Sequence, residues 1–123
     1  MVINVGINPL TALLRVPNGV LPQLPEAWEI AVAAGREAQA VAQAAGLTLS
    51  GDPAARLRQV CVDTAANRSS MLQDILAGRP TEIEALNAQV GTRGRALGLP
   101  TPVNDLLTLL LRAATQSAPF TVE

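Results

Sequence analysis

The sequence predicts an all-α fold, a single helical domain of five to seven helices. Of the 123 residues, 49% are hydrophobic but only 2% are aromatic, so the core must consist of aliphatic side chains. Alanine and leucine, which are abundant here, are strong helix formers. Proline and glycine divide the chain at spacings that suit helices, and no segment shows the apolar alternation of a strand. The length suits one compact domain.

The first two helices are predicted over residues 2–14 and 25–45. Pro9 lies inside the first and lacks a backbone N–H, so it should kink that helix or start a new turn. Residues 16–19 carry the Pro-Asn-Gly signal of a turn. The second helix starts at a proline suited to a first helical position and stops at Gly46, and its span of about 20 residues is about 30 Å long.

Two further helices follow from their capping signals. Asp52 precedes a proline and predicts a helix over residues 53–66. Ser70 and Gln73 have the spacing of a capping box, in which each side chain satisfies a backbone N–H at the start of a helix. This short helix is predicted to end at Gly78, because glycine readily adopts the left-handed conformation that terminates helices.

The remaining chain predicts two helices. Thr81 and Glu84 match a second capping box, which starts a fifth helix that ends near Gly98. Gly91 and Gly94 within it either weaken the helix or mark a close approach of another helix. A threonine–proline pair then opens the last helix, whose apolar face consists of leucines.

The overall charge excludes several classes of partner. The formal net charge is −1 without a basic stripe, which argues against nucleic acid and against an anionic membrane surface.

The apolar runs are too short to span a bilayer, and the first residues lack the pattern of a secretory signal, so we expect a cytoplasmic protein. The single cysteine, Cys61, lies at helical spacing from apolar neighbours and is expected to be a small buried hydrophobe.

Missing residue types restrict the chemistry further. The sequence contains no histidine, and all nine of its basic residues are arginine. Histidine-based catalysis and histidine-containing zinc sites are therefore excluded. Arginine stays protonated at ordinary pH, so a general acid or base within this chain has to be a carboxylate.

Asn4 and Asn8 are the first candidate site residues. They are four residues apart, so on a continuous helix both amides project from one face. They could then donate and accept hydrogen bonds to a polar ligand. The alternative, which spacing alone favours, is that Asn8 caps a helix starting at Pro9 while Asn4 is solvated.

The second candidate region surrounds Ser70. Asn67, Ser69, Ser70 and Gln73 place polar groups at a helix N-terminus, which suits a carboxylate or phosphate, although capping alone also explains them. Glu82 is left free to face a ligand, because Glu84 fills the capping role. Arg79 either binds an anion or makes a surface ion pair.

The candidate residues fall in five ordered blocks, at residues 4–13, 17–19, 67–74, 78–83 and 102–104. The most specific is the Ser-Ser-Met-Leu-Gln-Asp run followed by Thr-Glu-Ile. In this order and spacing the blocks resemble the C-terminal domain of ketopantoate reductase (2-dehydropantoate 2-reductase), over residues 2–111.

The resemblance implies the helical C-terminal fold of the 6-phosphogluconate dehydrogenase-like reductases, over residues 1–123. Such domains pair with an N-terminal Rossmann domain that binds NADPH. Together they reduce 2-dehydropantoate to pantoate for pantothenate and coenzyme A synthesis. A related reductase of another 2-oxo acid, or a non-catalytic helical module for binding or dimerisation, are the alternatives.

The resemblance also assigns roles within the site. Asn4, Asn8 and Asn67 match asparagines that face the substrate cleft. Ser70 matches the serine that holds the substrate, through its carboxylate, and Glu82 matches the glutamate that binds the substrate's hydroxyl.

Two features of the family are absent from this chain. The Rossmann domain is missing, and the catalytic lysine would directly precede Met1. We therefore expect one domain of a longer protein, with no catalytic residue of its own, no NADPH bound, and no activity alone. Its partners would be its own Rossmann domain and a small 2-oxo acid, and the isolated domain should self-associate. Asn18 matches a turn residue of the family.

Overall fold

The computed structural model describes residues 2–122, which form six α-helices, two short 3₁₀ helices and no strand. The all-α prediction is confirmed. The α-helices are α1 (Asn4–Leu14), α2 (Pro25–Ala44), α3 (Pro53–Asp63), α4 (Ser70–Ala77), α5 (Asn87–Leu97) and α6 (Pro102–Ser117). The 3₁₀ helices are Asn18–Gln23, in place of the simple turn predicted there, and Ala118–Phe120. None of the helices in this described part is long and apolar enough to cross a membrane.

Helix α1 lies at the centre of the molecule. Its residues from Val5 to Ala12 are all buried, and they contribute to each of three aliphatic clusters. Ile7 and Leu10 pack in the first cluster, Ala12 in the second and Val5 in the third. Burying one such large aliphatic side chain stabilises a fold by about 1.5–3 kcal/mol, so α1 anchors the surrounding helices.

Pro9 does not start a new helical turn, because α1 continues through it from Asn4 to Leu14. Proline has no N–H to donate to the carbonyl four residues earlier, which is that of Val5. The side-chain Nδ2 of Asn87, on α5, donates to this carbonyl at 3.0 Å. A side chain from a distant helix thus replaces the missing backbone hydrogen bond within the core.

A buried polar network extends from Asn87 to the start of α6. Nδ2 of Asn87 also donates to Oδ1 of Asn104, at 2.9 Å. The Asn104 amide in turn donates to the Ala34 carbonyl and to Oε1 of Glu37. The Glu37 carboxylate accepts the backbone N–H groups of Val103 and Asn104, both at 3.0 Å. A carboxylate on α2 therefore caps the N-terminus of α6, where negative charge is favourable.

The prediction of a second capping box at Thr81 is wrong, because α5 begins at Asn87. The preceding residues form turns, and Thr81 Oγ1 accepts only the N–H of Ile83, at 3.3 Å. Glu84 does not reach back to the backbone. Its carboxylate instead accepts two hydrogen bonds from Arg112 on α6, at 2.8 and 2.6 Å, so an ion pair replaces the predicted cap.

The glycines of α5 mark a close helix approach, one of the two interpretations of the sequence. A Cβ atom at Gly94 would lie 2.7 Å from Cγ2 of Thr101, and one at Gly91 would overlap the Asp105 carboxylate. Both neighbours belong to the start of α6. Glycine therefore allows α5 and α6 to pack with their backbones close together.

Two other boundaries follow the predictions, and the end of α3 does not. Asp52 accepts the Ala54 N–H at 3.2 Å as the N-cap of α3, and Gly78 ends α4 with φ of 70°. Helix α3 stops at Asp63, short of the predicted residue 66. The carbonyls beyond that point turn away to accept N–H groups of the first 3₁₀ helix, which include that of Gly19. Cys61 is fully buried as expected, and this burial raises the pKa of its thiol.

We predict that Asn87→Ala lowers the free energy of unfolding by about 2 kcal/mol, since it leaves buried polar groups of Val5 and Asn104 unpaired. Pro9→Ala returns a backbone N–H to the Val5 carbonyl. In that background the cost of Asn87→Ala should fall by about 1 kcal/mol. Urea unfolding of the wild type, the two single variants and the double variant measures this difference. An equal cost of Asn87→Ala in both backgrounds would contradict the view that Asn87 supplies the hydrogen bond that Pro9 cannot.

Candidate functional site

The two asparagines of α1 share one face of an unbroken helix. Asn8 lies inside α1 and caps nothing, so the alternative in which it starts a new helix at Pro9 is wrong. Asn4 is exposed, whereas Asn8 is only 8% exposed. The Asn8 side chain makes no hydrogen bond to any residue of the described chain, so its amide is free to bind a ligand.

The N-cap of α4 is Ser69, not Ser70 as the sequence predicted. The Oγ atom of Ser69 accepts the N–H of Leu72 at 3.1 Å, and helical residues begin at Ser70. Gln73 does not complete a capping box. Its side-chain amide donates to the Arg68 carbonyl instead, at 3.0 Å.

This one-residue shift leaves the Ser70 hydroxyl free of the backbone. Its Oγ atom donates to Oε1 of Glu82, at 3.2 Å. Both residues are exposed. The structure therefore brings together two candidate residues that lie 12 positions apart in the chain.

Thr11 and Ser69 connect α1 with α4, a contact that the sequence reasoning missed. Their hydroxyl oxygens lie 2.8 Å apart in a buried position. Thr11 follows Asn8 by three residues and therefore lies on the same face of α1. The contact places the asparagine face of α1 beside the start of α4, where Ser70 lies. Both residues fall in the blocks that carry the family resemblance, and this was the only sequence signal for the contact.

Asn67 and Asn18 occupy the edge of this region. Asn67 is exposed, and its carbonyl accepts the backbone N–H of Asn18 at 3.0 Å. The Asn18 side chain is buried and donates to Oγ1 of Thr64, also at 3.0 Å. Its Oδ1 atom has no hydrogen-bond partner among residues 2–122. Asn18 thus ties the 3₁₀ helix to the end of α3, while the Asn67 side chain is at the surface.

Arg79 makes a surface ion pair, one of the two roles that the sequence allowed. Arg79 pairs with Asp74, with Nε and Oδ1 3.1 Å apart, and not with Glu82. No salt bridge in the described part of the chain involves Glu82. The neighbouring carboxylate of Glu84 is paired with Arg112, and the hydrogen bond from Arg112 lowers its pKa. Glu82 is therefore the carboxylate of this segment that remains available to a ligand.

The candidate residues Asn4, Ser70 and Glu82 are exposed on an open face of the described chain. One depression of about 420 Å³ lies between the ends of α1, α4 and α6, and another of about 430 Å³ lies between α5 and α6. Neither is lined by Asn8, Ser70 or Glu82. A small ligand held by these three residues would need a second wall to be enclosed.

The described residues contain neither a cluster of metal-ligating side chains nor the phosphate-binding turn of a dinucleotide site. They contain no group of three or more His, Cys, Asp and Glu side chains that could hold a metal ion. Nor do they include a strand that leads through a glycine-rich turn into a helix, the arrangement that binds the phosphates of a dinucleotide. What this face offers is a set of hydrogen-bonding groups for a small polar molecule.

Residues 1–115 match the family described as the C-terminal domain of PanE/ApbA ketopantoate reductase. The chain belongs to this family. The resemblance seen in the five sequence blocks is confirmed, and so is the helical fold that it implies.

The relatives are reductases of which this chain corresponds to the C-terminal part. The 2-dehydropantoate 2-reductase of Archaeoglobus fulgidus is 40% identical over 111 residues, which cover 90% of this chain and 37% of that protein. The chain thus spans less than half the length of such a relative.

Two solved structures superimpose closely on the chain. The PanE/ApbA family ketopantoate reductase of Ralstonia eutropha matches with a TM-score of 0.88 and 31% identity, over 96% of this chain and 40% of that one. D-Mandelate dehydrogenase, solved with NADH and anilino(oxo)acetate, also matches with a TM-score of 0.88, at 28% identity over 96% of this chain and 39% of that one.

We predict that Ser69→Ala lowers the free energy of unfolding by about 1 kcal/mol or more, because it removes the N-cap of α4. Ser70→Ala is the matched control, and it should change that free energy by less than about 0.5 kcal/mol, since its hydroxyl is exposed. Thermal or urea unfolding of both variants makes the comparison. A larger loss of unfolding free energy for Ser70→Ala than for Ser69→Ala would show that Ser70 is the N-cap of α4.

Proposed function

We propose that this chain is the substrate-binding half of an NADPH-dependent reductase that converts 2-dehydropantoate to pantoate, in the pathway to pantothenate and coenzyme A. The observation that carries the proposal is the contact between Ser70 and Glu82 on an open face beside Asn8. Membership of the ketopantoate reductase family supports it.

The Ser70–Glu82 contact suits a group that exchanges its partner when substrate binds. A hydroxyl has one proton, so Ser70 cannot donate to Glu82 and to a substrate carboxylate at the same time. The contact is exposed and 3.2 Å long, which makes it weak. Substrate binding would turn the Ser70 proton towards the substrate carboxylate. The Glu82 oxygen would then be left to accept a hydrogen bond from another donor.

The charge of Glu82 orients the substrate. A carboxylate repels another carboxylate, so the acid group of a 2-oxo acid would lie away from Glu82 and towards the N–H groups at the start of α4. The neutral hydroxyl of 2-dehydropantoate would then donate to Glu82. Together the two contacts distinguish a hydroxylated 2-oxo acid from one that lacks the hydroxyl, since an unmatched polar group loses binding energy.

The asparagines complete the proposed site. Asn4 and Asn8 present neutral amides along one face of α1, which can donate to substrate oxygens without adding charge. Asn67 would contribute a third amide at the edge of the cleft. We assign these three residues, with Ser70 and Glu82, to substrate binding, and we assign no catalytic residue to this chain, which contains neither lysine nor histidine.

The cofactor in this proposal is held outside the chain. The described residues do not fit NADPH, because they lack the phosphate-binding turn of a dinucleotide site. An N-terminal Rossmann domain would bind it and form the second wall over the open face. The domain alone would therefore be inactive and would bind little NADPH.

A reductase of another 2-oxo acid is the second candidate. D-Mandelate dehydrogenase, solved with NADH, superimposes as closely as the ketopantoate reductase does. The two candidates differ at Glu82, because mandelate and its oxo acid carry no second hydroxyl for that carboxylate to bind.

We predict that Ser70→Ala and Glu82→Gln each lower kcat/KM for 2-dehydropantoate by about tenfold or more, with the KM for NADPH unchanged. The assay follows NADPH oxidation by the protein translated from the complete reading frame that contains this chain. Glu84→Gln is the matched control, because Glu84 lies in the same segment but pairs with Arg112.

Three outcomes would decide between the candidates. An unaltered kcat/KM in both variants would refute the assigned site. Faster turnover of a 2-oxo acid without the hydroxyl than of 2-dehydropantoate would favour the second candidate. A wild-type protein that turns over neither class would refute the reductase function.

The isolated chain should self-associate and bind little NADPH. Without the covering that a second domain supplies, apolar surface on the cleft side would be exposed, and exposed apolar surface promotes association between copies. Light scattering at rising concentration measures the association, and calorimetry measures the binding. A monomer at high concentration, or NADPH binding in the micromolar range, would contradict these expectations.

A further inference from the structure

We propose that Thr11 is a positioning residue, whose hydroxyl contact with Ser69 sets the spacing between Asn8 on α1 and Ser70 on α4. The inference rests on the proposed function for the roles of Asn8 and Ser70. The contact itself belongs to the fold and can be tested separately.

The two hydroxyls are enclosed by the protein. Thr11 is fully buried and Ser69 is 7% exposed, and their oxygen atoms lie 2.8 Å apart. Oγ1 of Thr11 also lies 2.9 Å from the Ile7 carbonyl and 3.1 Å from the Asn8 carbonyl. Oγ of Ser69 accepts the Leu72 N–H at 3.1 Å. Water does not compete strongly for such buried groups, so the geometry is well determined.

The available protons give the contact a direction. The Thr11 hydroxyl has one proton and two carbonyl acceptors on α1, so that proton points back along its own helix. Ser69 has no other acceptor among the described residues, so it donates its proton to Thr11, while its own oxygen accepts the Leu72 N–H. The resulting chain of hydrogen bonds runs from the start of α4 to the carbonyls of α1 and leaves neither hydroxyl proton unused.

This chain of bonds controls the distance across the proposed site. Ser69 is the residue before Ser70 and caps the helix that Ser70 begins, so a shift of Ser69 shifts both. Thr11 and Ser69 are 58 residues apart in sequence, and only tertiary contact fixes their separation. The aliphatic cluster that contains Ala12 and Met71 also holds α1 to α4, but hydrophobic contact is non-directional. The hydrogen bond supplies the direction.

Thr108 provides a matched control. It is 5% exposed, and its hydroxyl donates to the Asn104 carbonyl four residues earlier, at 2.8 Å. Thr11 makes the same kind of backbone contact. Of these two threonines, Thr11 is the one whose hydroxyl also contacts a second helix, at Ser69. Thr108→Val therefore removes a comparable buried hydroxyl and leaves the bridge between α1 and α4 intact.

The first test uses the protein translated from the complete reading frame. We expect Thr11→Val, which keeps the shape of the side chain, to raise the KM for 2-dehydropantoate about tenfold, with the KM for NADPH unchanged. Thr11→Ser should restore the KM to within about twofold, because it returns the hydroxyl. An unaltered KM in Thr11→Val, or an equal rise in Thr108→Val, would overturn the proposal.

The second test does not depend on the reductase activity. Amide hydrogen exchange at Leu72 should accelerate about tenfold in Thr11→Val and stay unchanged in Thr108→Val, because loss of the Thr11 acceptor loosens the Ser69 cap. Unchanged exchange in Thr11→Val would overturn the bridge. A wild-type protein that reduces no 2-oxo acid would refute the proposed function alone, and the exchange rates would still decide whether Thr11 holds the start of α4.

Discussion

The hydrogen bond from Asn87 to the Val5 carbonyl is the contact on which the rest of the structure depends. Pro9 sits in the central helix and cannot supply the N–H that this carbonyl would normally receive. Asn87 supplies it from α5, at 3.0 Å, within a network that also reaches the start of α6. Helix α1 therefore runs without a break, and Asn8 stays on the same face as Asn4. The asparagine face of the proposed site thus depends on how the core satisfies one carbonyl.

The proposed site combines exposed binding groups with buried support. Ser70 and Glu82 meet at the surface, where a ligand can displace their contact. Thr11 and Ser69 are buried, so their hydrogen bond is shielded from water. This division suits a substrate site, since the groups that exchange partners must be accessible while their spacing stays fixed. The open face suits a cleft whose other wall belongs to another domain.

The successes and errors of the sequence predictions have a common physical origin. Asp52 was correctly predicted as a cap because its partner is two residues away. Ser70 was assigned as a cap because Gln73 follows at the right spacing, but Ser69 is equally suited to the role and has a hydroxyl partner on α1. Glu84 also fits a capping box locally, yet Arg112 offers it a charged partner from another helix. Local spacing cannot choose between partners that only the fold brings near.

By itself the sequence determined the all-α class, most helix ends and the family, together with the candidates Asn4, Asn8, Asn67, Ser70 and Glu82. Helix propensity, glycine stops and proline starts act within about four residues, so they can be recognised in the chain without the fold. The tertiary structure decided that α1 passes through Pro9, that Ser69 caps α4, and that Ser70 is free to meet Glu82. Each of those outcomes depends on a hydrogen-bond partner or competitor from a distant part of the chain, and packing of the core determines which partners come within reach.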